Sequence, residues 1–433
     1  MNFLFFFLGL LLITFIPFFE RGRFRGIFSP SFLFCTYFFV FSYIGCLYWS
    51  YEYDDLKIIA YPTVGILSCL LGTIFYGCVF RDKPVHVLIL NEGVKKLGYK
   101  KSILKIYFFL GVVSLVLYYF LSGSVPLLDA LIGGGSMHEA RRAITVAHRD
   151  GNVSYFGQGY FKAFFSYILP ISALALLFEK KRIEGNLRKL SKNDVFFLFF
   201  FVLFPQFLSG QIWVGLQSFI FCFFVVSFFV VFVDKSPVPQ KSYGFIIKVF
   251  KIVTIILVFY FSFRYLQINN GRVVEGGVLG SSLDRLLFVK SPVLYSLFPS
   301  EYDFRLGATW LNDISGFLPG SVEAFAYEVH DIVHKSAHGF TLAPTLFAST
   351  FVNFGIAGLI FFPGLFVVIM NLYLKFFLKE ISVLNICSAF MLISLFMFSS
   401  IGDISGMVFG FILVSLIFFS VKSFSMVFYN ILN

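Results

Sequence analysis

The chain has 433 residues, of which 58% are hydrophobic, 13% are charged and 66 are phenylalanine. Soluble domains carry about 25% charged residues, so a water-soluble enzyme is excluded and an all-α polytopic membrane protein is expected. The net charge of +11 then reports Lys and Arg retained on the cytoplasmic side of a bilayer, and it argues against a nucleic-acid partner.

About 20 apolar residues suffice to cross a bilayer as a helix, and runs of that order recur along the chain. The run 3–19 has no basic stretch before it and no Ala-x-Ala-like site after it. It reads as a retained span and not as a signal peptide. Spans near 31–49, 58–80, 103–121 and 163–178 follow. The stretch 195–232 is too long for one crossing, and Pro205 with Ser209-Gly210-Gln211 divides it into spans 195–209 and 212–232. Further spans are expected at 247–263, 345–374, 383–399 and 404–421, about eleven in all within a range of ten to twelve. Because 345–374 exceeds one crossing, its first part is expected to be a short re-entrant or interfacial helix.

The loops sort by charge. Those at 20–30, 81–105, 179–194, 233–251, 375–382 and 422–433 hold 23 of the 34 Lys and Arg residues. The alternate loops at 50–57, 122–162 and 264–344 hold the other 11 in a longer total stretch. The positive-inside bias makes the first set cytoplasmic, with the N-terminus outside and the C-terminus inside. Acidic residues favour the outer side, as do His138, His148, His330, His334 and His338. Ionisable residues are nearly absent from the spans, whereas ion-coupled transporters usually keep one near mid-membrane. The six cysteines all fall in apolar runs and act there as small buried residues, with no disulfide framework or metal site among them.

Two large outer loops, 122–162 and 264–344, are therefore where any chemistry is expected. The first contains Gly133-Gly134-Gly135 and a polar run with His138, Glu139, Arg141, Arg142 and Arg149. The second contains Arg264, Arg272, Arg285, Lys290, Arg305 and Lys335, with Tyr295, Tyr302 and Trp310 suited to the headgroup zone. Arginine pairs bidentately with phosphate oxygens and keeps its charge, so arginines from two loops are suited to clamping a lipid-linked diphosphate. The alternative role for each is a lipid headgroup or an acidic neighbour. His330, His334 and His338 recur every four residues, as on one face of a helix beside Asp331. No His-Glu-x-x-His signature accompanies them, and no metal or other cofactor is expected.

The stretch Gly339-Phe340-Thr341-Leu342-Ala343-Pro344, followed by Phe351-Val352-Asn353-Phe354-Gly355-Ile356-Ala357-Gly358, resembles the Gly-x-Thr … Asn-Phe-Gly-x-x-Gly ending of the large outer loop in O-antigen polymerases, the Wzy family. Upstream, ten residues separate Arg305 from Gly316, similar to the Arg-x10-Gly motif of that family. Arg141 to Gly151 falls one residue short of the same spacing. A second departure is Ala348-Ser349-Thr350, where many relatives carry a Glu before Asn-Phe-Gly.

The resemblance implies a GT-C-like membrane fold in the bacterial inner membrane and a periplasmic reaction on undecaprenyl-diphosphate-linked oligosaccharide repeat units. It implies a chain-length regulator of the Wzz type, a flippase and an O-antigen ligase as partners, besides membrane lipids. Arg305, with Arg142, Arg285 and Arg141, is expected on the diphosphate, and His338 is the candidate base. Gly316, Gly339, Asn353 and Gly355 are expected to shape the loop-to-helix junction. An O-antigen ligase and a capsule or exopolysaccharide polymerase share this layout, and a lipid-linked oligosaccharide flippase is the reading from another class.

Overall fold

The computed structural model describes residues 1–95, 97, 100–132, 158–185, 190–208, 212–232, 291–298, 304–315, 325–334, 342–402 and 404–432. They form an all-helical bundle whose longest members are apolar enough to span a bilayer, and among them only an isolated bridge, Lys95 to Ser382, pairs extended backbone. Seven helices have both the length and the apolarity for a crossing, which makes the chain a multi-pass membrane protein.

These seven are α1 (Asn2–Phe19), α2 (Pro30–Glu52), α3 (Lys57–Val79), α5 (Lys100–Ser122), α7 (Gln158–Ile183), α13 (Leu346–Phe377) and α15 (Ile404–Leu432). Short helices α4 (Val85–Glu92) and α6 (Pro126–Ile132) follow α3 and α5. Three other expected crossings differ from a single long helix. That at 195–209 is α8, residues 192–208, interrupted by a π-turn at Phe199–Leu203 ahead of Pro205. Those at 212–232 and 383–399 are α9 (Ile212–Phe232) and α14 (Val383–Ser399), whose apolar cores are shorter. The expected span 247–263 lies outside the described residues.

Helix α14 is buried almost all round, as an axial helix of uniformly apolar character must be. Around it, α3 and α13 touch backbone to backbone. A Cβ on Gly72 would come 2.7 Å from Cα of Gly364, so only glycine permits this approach. Ser68 bridges the same contact, donating to Ile360 O at 2.6 Å and accepting from Gly364 N–H at 2.9 Å. That hydroxyl stands in the i to i−4 bond beside Pro363, where the ring would otherwise leave helix backbone groups strained or unpaired.

The loops gather into two separate layers. At one end, Arg25 donates to Asp82 O at 2.7 Å, Lys375 pairs with Asp82 at 3.0 Å, and Lys95 N–H donates to Ile381 O at 2.8 Å. There too, Lys181 pairs with Asp194 at 2.7 Å and Glu179 accepts Leu97 N–H at 3.2 Å. This is the basic end. At the other end lie three short helices, α10 (Ser291–Leu297), α11 (Ala308–Ser315) and α12 (Phe325–His334). Trp49 reaches α10 there, its indole N–H donating to Ser291 Oγ at 3.0 Å.

Candidate functional site

Helix α13 is continuous in outline but broken at Gly355, which has φ 62° and ψ −153°. Only glycine visits this region without strain. A Cβ there would also meet the Phe304 ring at 2.5 Å. The break leaves the last carbonyls of 346–354 without helical partners. They are taken by an incoming loop: Arg305 N–H donates to Val352 O at 3.3 Å and Leu306 N–H to Asn353 O at 2.9 Å.

Asn353 completes the junction. It is fully buried, and its Oδ1 accepts Gly307 N–H at 3.0 Å and Thr309 N–H at 3.4 Å. Its amide donates to Thr309 Oγ1 at 2.5 Å and Ser349 O at 2.8 Å. The loop turns through left-handed backbone at Leu306 (φ 48°) and Gly307 (φ 90°) and then enters α11. The residues just before Asn353 are tied down as well. Thr350 Oγ1 donates to Leu346 O at 2.7 Å, and Ser349 Oγ accepts the Trp310 indole N–H at 3.3 Å. Ala348, Ser349 and Thr350 are all fully buried, so a glutamate there would carry an expensive buried charge.

This frame presents Arg305. Its guanidinium forks onto both oxygens of Glu328, with Nη1 to Oε2 at 2.6 Å and Nη2 on Oε1, and its carbon lies 5.6 Å from the centroid of Phe325. Glu328 comes from α12, whose start is capped by Asp313 of α11 accepting Phe325 N–H at 2.9 Å. The pair is more than one-third exposed on average, at 35% for Arg305 and 41% for Glu328. Exposure of this degree screens the pair to about 1 kcal/mol despite its bidentate geometry.

Helix α11 has inverted polarity. Its buried side chains are Thr309 and Asp313, while Leu311 is 67% and Ile314 38% exposed. Phe304 and Leu306, on either side of Arg305, are also exposed, as are Ile356 and Ile360 beyond the break. Apolar residues turned outward and polar ones inward suit a helix bathed in lipid or at its boundary. The guanidinium–carboxylate pair thus sits beside an apolar, outward-facing surface.

Of the residues singled out in the sequence, Arg305, Asn353 and Gly355 come together here. Arg141, Arg142, Arg285, Gly316, Gly339 and His338 lie outside the described residues. His330 is buried on α12, its Nδ1 3.4 Å from Asp331 Oδ1. Among the described residues no group of three or more His, Cys, Asp and Glu side chains is arranged to hold a metal ion. Glu328 is the residue that sequence reasoning passed over. Its signal was slight: an acidic residue in the first turn of a short amphipathic helix.

Compared with models of known families, with curated proteins and with solved structures, the chain matches none of them.

Proposed function

We propose that this protein polymerises lipid-linked oligosaccharide repeat units, as an O-antigen polymerase of the Wzy type, on the periplasmic face of the bacterial inner membrane. One observation carries the reading: Arg305 is held by a hydrogen-bonded junction directly beside an apolar surface suited to a lipid. A polyprenyl diphosphate has that same pairing of a doubly acidic head with a long hydrocarbon tail.

In this reading the donor is the growing glycan on undecaprenyl diphosphate, and the acceptor is the non-reducing end of the next lipid-linked unit. The bond between the donor's anomeric carbon and the diphosphate oxygen breaks, and the diphosphate leaves with the electron pair. The acceptor hydroxyl oxygen forms the new bond to the anomeric carbon and gives up its proton. The Arg305 fork exchanges Glu328 for phosphate oxygens of the same planar geometry and stabilises the charge that develops on the leaving group. Glu328, freed of its partner, accepts the acceptor's proton. Arg141, Arg142 and Arg285 are assigned to the same diphosphate, and His338 remains the second candidate base. A Wzz-type chain-length regulator, a flippase and an O-antigen ligase are the partners of such an enzyme.

The test is reconstitution of the purified chain in vesicles with a synthetic polyprenyl-diphosphate-linked repeat unit. Products of two or more units are expected, with the rate falling about 10²–10³-fold in Arg305→Ala. No elongation by wild type, or full-rate elongation by the variant, refutes the proposal.

A further inference from the structure

The basic end holds a second site, unconnected with the reaction above. A cavity of about 600 Å³ lies between the ends of α1 and α3, where Arg21, Arg25 and Arg81 line it together with Phe19, Ile74 and Cys78. Two carboxylates, Glu20 and Asp82, neutralise Arg25 in part. Asp82 is the one carboxylate on the wall, and it is already engaged, by Lys375 Nζ at 3.0 Å and the Tyr76 hydroxyl at 2.6 Å. Nearby Glu20 is buried and accepts from Ser29, Ser31 and Gly22 N–H at 2.9–3.1 Å.

Arg25 donates one amino group to Asp82 O, but its Nε is buried with no hydrogen-bond partner among the described residues. Burial, and then the neighbouring positive charge of Arg21, push the Arg25 guanidinium below its ordinary value, and Glu20 and Asp82 offset this only in part. Two cations crowd one another here where an anion would relieve them. Gly77 makes the arrangement possible. A Cβ on it would lie 2.9 Å from Arg21 Cγ and 3.1 Å from Phe19 O, so the glycine lets the Arg21 stem lie flat against α3.

The other half of the wall is apolar, formed by Phe19, Ile74 and Cys78, and exposed apolar side chains adjoin it. Phe19 is 43% exposed, and Phe75 and Val79, on the same stretch of α3, are 58% and 54% exposed. Surfaces of this kind on spanning helices face hydrocarbon. Arginine forks bind phosphate bidentately, and a basic pocket between spanning helices on the cytoplasmic side is suited to anionic headgroups. The geometry points to a binding site for the phosphate headgroup of an anionic phospholipid of the cytoplasmic leaflet, held by Arg21, Arg25 and Arg81 with its acyl chains along Phe19 and Ile74. A free phosphate shares the anionic chemistry but makes no use of the apolar wall.

The purified full chain in detergent, titrated with phosphatidylglycerol against phosphatidylcholine and read by native mass spectrometry, tests this. Wild type is expected to prefer phosphatidylglycerol, and Arg21→Gln, Arg25→Gln and Arg81→Gln each to lose about fivefold of that preference. Lys180→Gln removes an exposed charge from the same end but outside the cavity, and it is expected to change nothing. Arg81→Gln keeps the test decisive if Arg25→Gln fails to fold, because no described hydrogen bond depends on it. Equal loss in Lys180→Gln and Arg81→Gln overturns the site in favour of diffuse surface attraction. Displacement of the lipid by millimolar inorganic phosphate, or unchanged preference in Arg81→Gln, overturns it as well.

Discussion

Asn353→Ala strikes the junction on which the Arg305 site depends. The side chain is fully buried and joins four backbone or hydroxyl partners on two segments: Gly307 N–H, Thr309 N–H, Thr309 Oγ1 and Ser349 O. Alanine removes all four bonds and supplies no equivalent polar group. Thr309 is buried and Gly307 half-buried, so water replaces only part of what is lost. Each buried group left unsatisfied costs about 1–3 kcal/mol, and allowing for water at Gly307 the junction weakens by roughly 2–4 kcal/mol. At about 1.4 kcal/mol per factor of ten, local opening of 304–309 then becomes about 10²-fold more frequent. Hydrogen exchange followed by mass spectrometry on peptides covering 304–315 reads this directly. Exchange there is expected to accelerate about 10²-fold, while peptides from α3 and α14 keep wild-type protection. Unchanged exchange at 304–315 refutes the claim that Asn353 holds the loop carrying Arg305.

Gly355→Ala forces a non-glycine residue into left-handed backbone and its Cβ against Phe304. The backbone alone costs about 1–3 kcal/mol, and a lowered thermal midpoint in detergent is expected. Glu328→Gln keeps the shape of the Arg305 partner but removes its charge, and in the vesicle assay it is expected to slow elongation while donor binding is retained or tightened. Ser191→Ala removes the hydroxyl half of the capping box at the start of α8, the Asp194 N–H bond to Ser191 Oγ, and leaves Ser191 N–H on Asp194 Oδ2, with a loss of about 1 kcal/mol. Burial alone would raise the Asp194 carboxyl, but hydrogen bonds from Lys181 and Ser191 outweigh it and hold the group below its ordinary value. A depressed folded value means that its stabilisation is present above about pH 4 and fades as pH falls through the folded value. The stability gap between wild type and Asp194→Asn is therefore expected to narrow on acidification below about pH 4, as followed by thermal melts.

Seven of the expected crossings were legible because apolar runs of bilayer length leave little choice of structure. The break in α13 was foreshadowed by a hydrophobic stretch too long for one crossing, and Gly355 inside it is the residue able to make such a turn. The π-turns at Phe39–Tyr43 and Phe199–Leu203 were not legible, since they answer to packing against neighbouring helices. In α2 the turn brings the Tyr43 hydroxyl to Phe5 O at 2.8 Å and Thr63 Oγ1 at 2.5 Å. The Arg305–Glu328 pair was hidden for a similar reason. The residues lie 23 apart in the chain, and they meet only because Asp313 sets the start of α12. The arginine cavity at the basic end was invisible too, because Arg81 reaches Arg21 and Arg25 only through the antiparallel return of α2 and α3.

The central claim is that the chain lengthens a lipid-linked glycan through Arg305. Its most direct test is the banding of surface lipopolysaccharide on a silver-stained gel after deletion of the gene from its host. The account predicts collapse of the ladder to core plus one repeat unit, restored by wild type and not by an Arg305→Ala protein that still reaches the membrane. An unchanged ladder, or full restoration by Arg305→Ala, contradicts it.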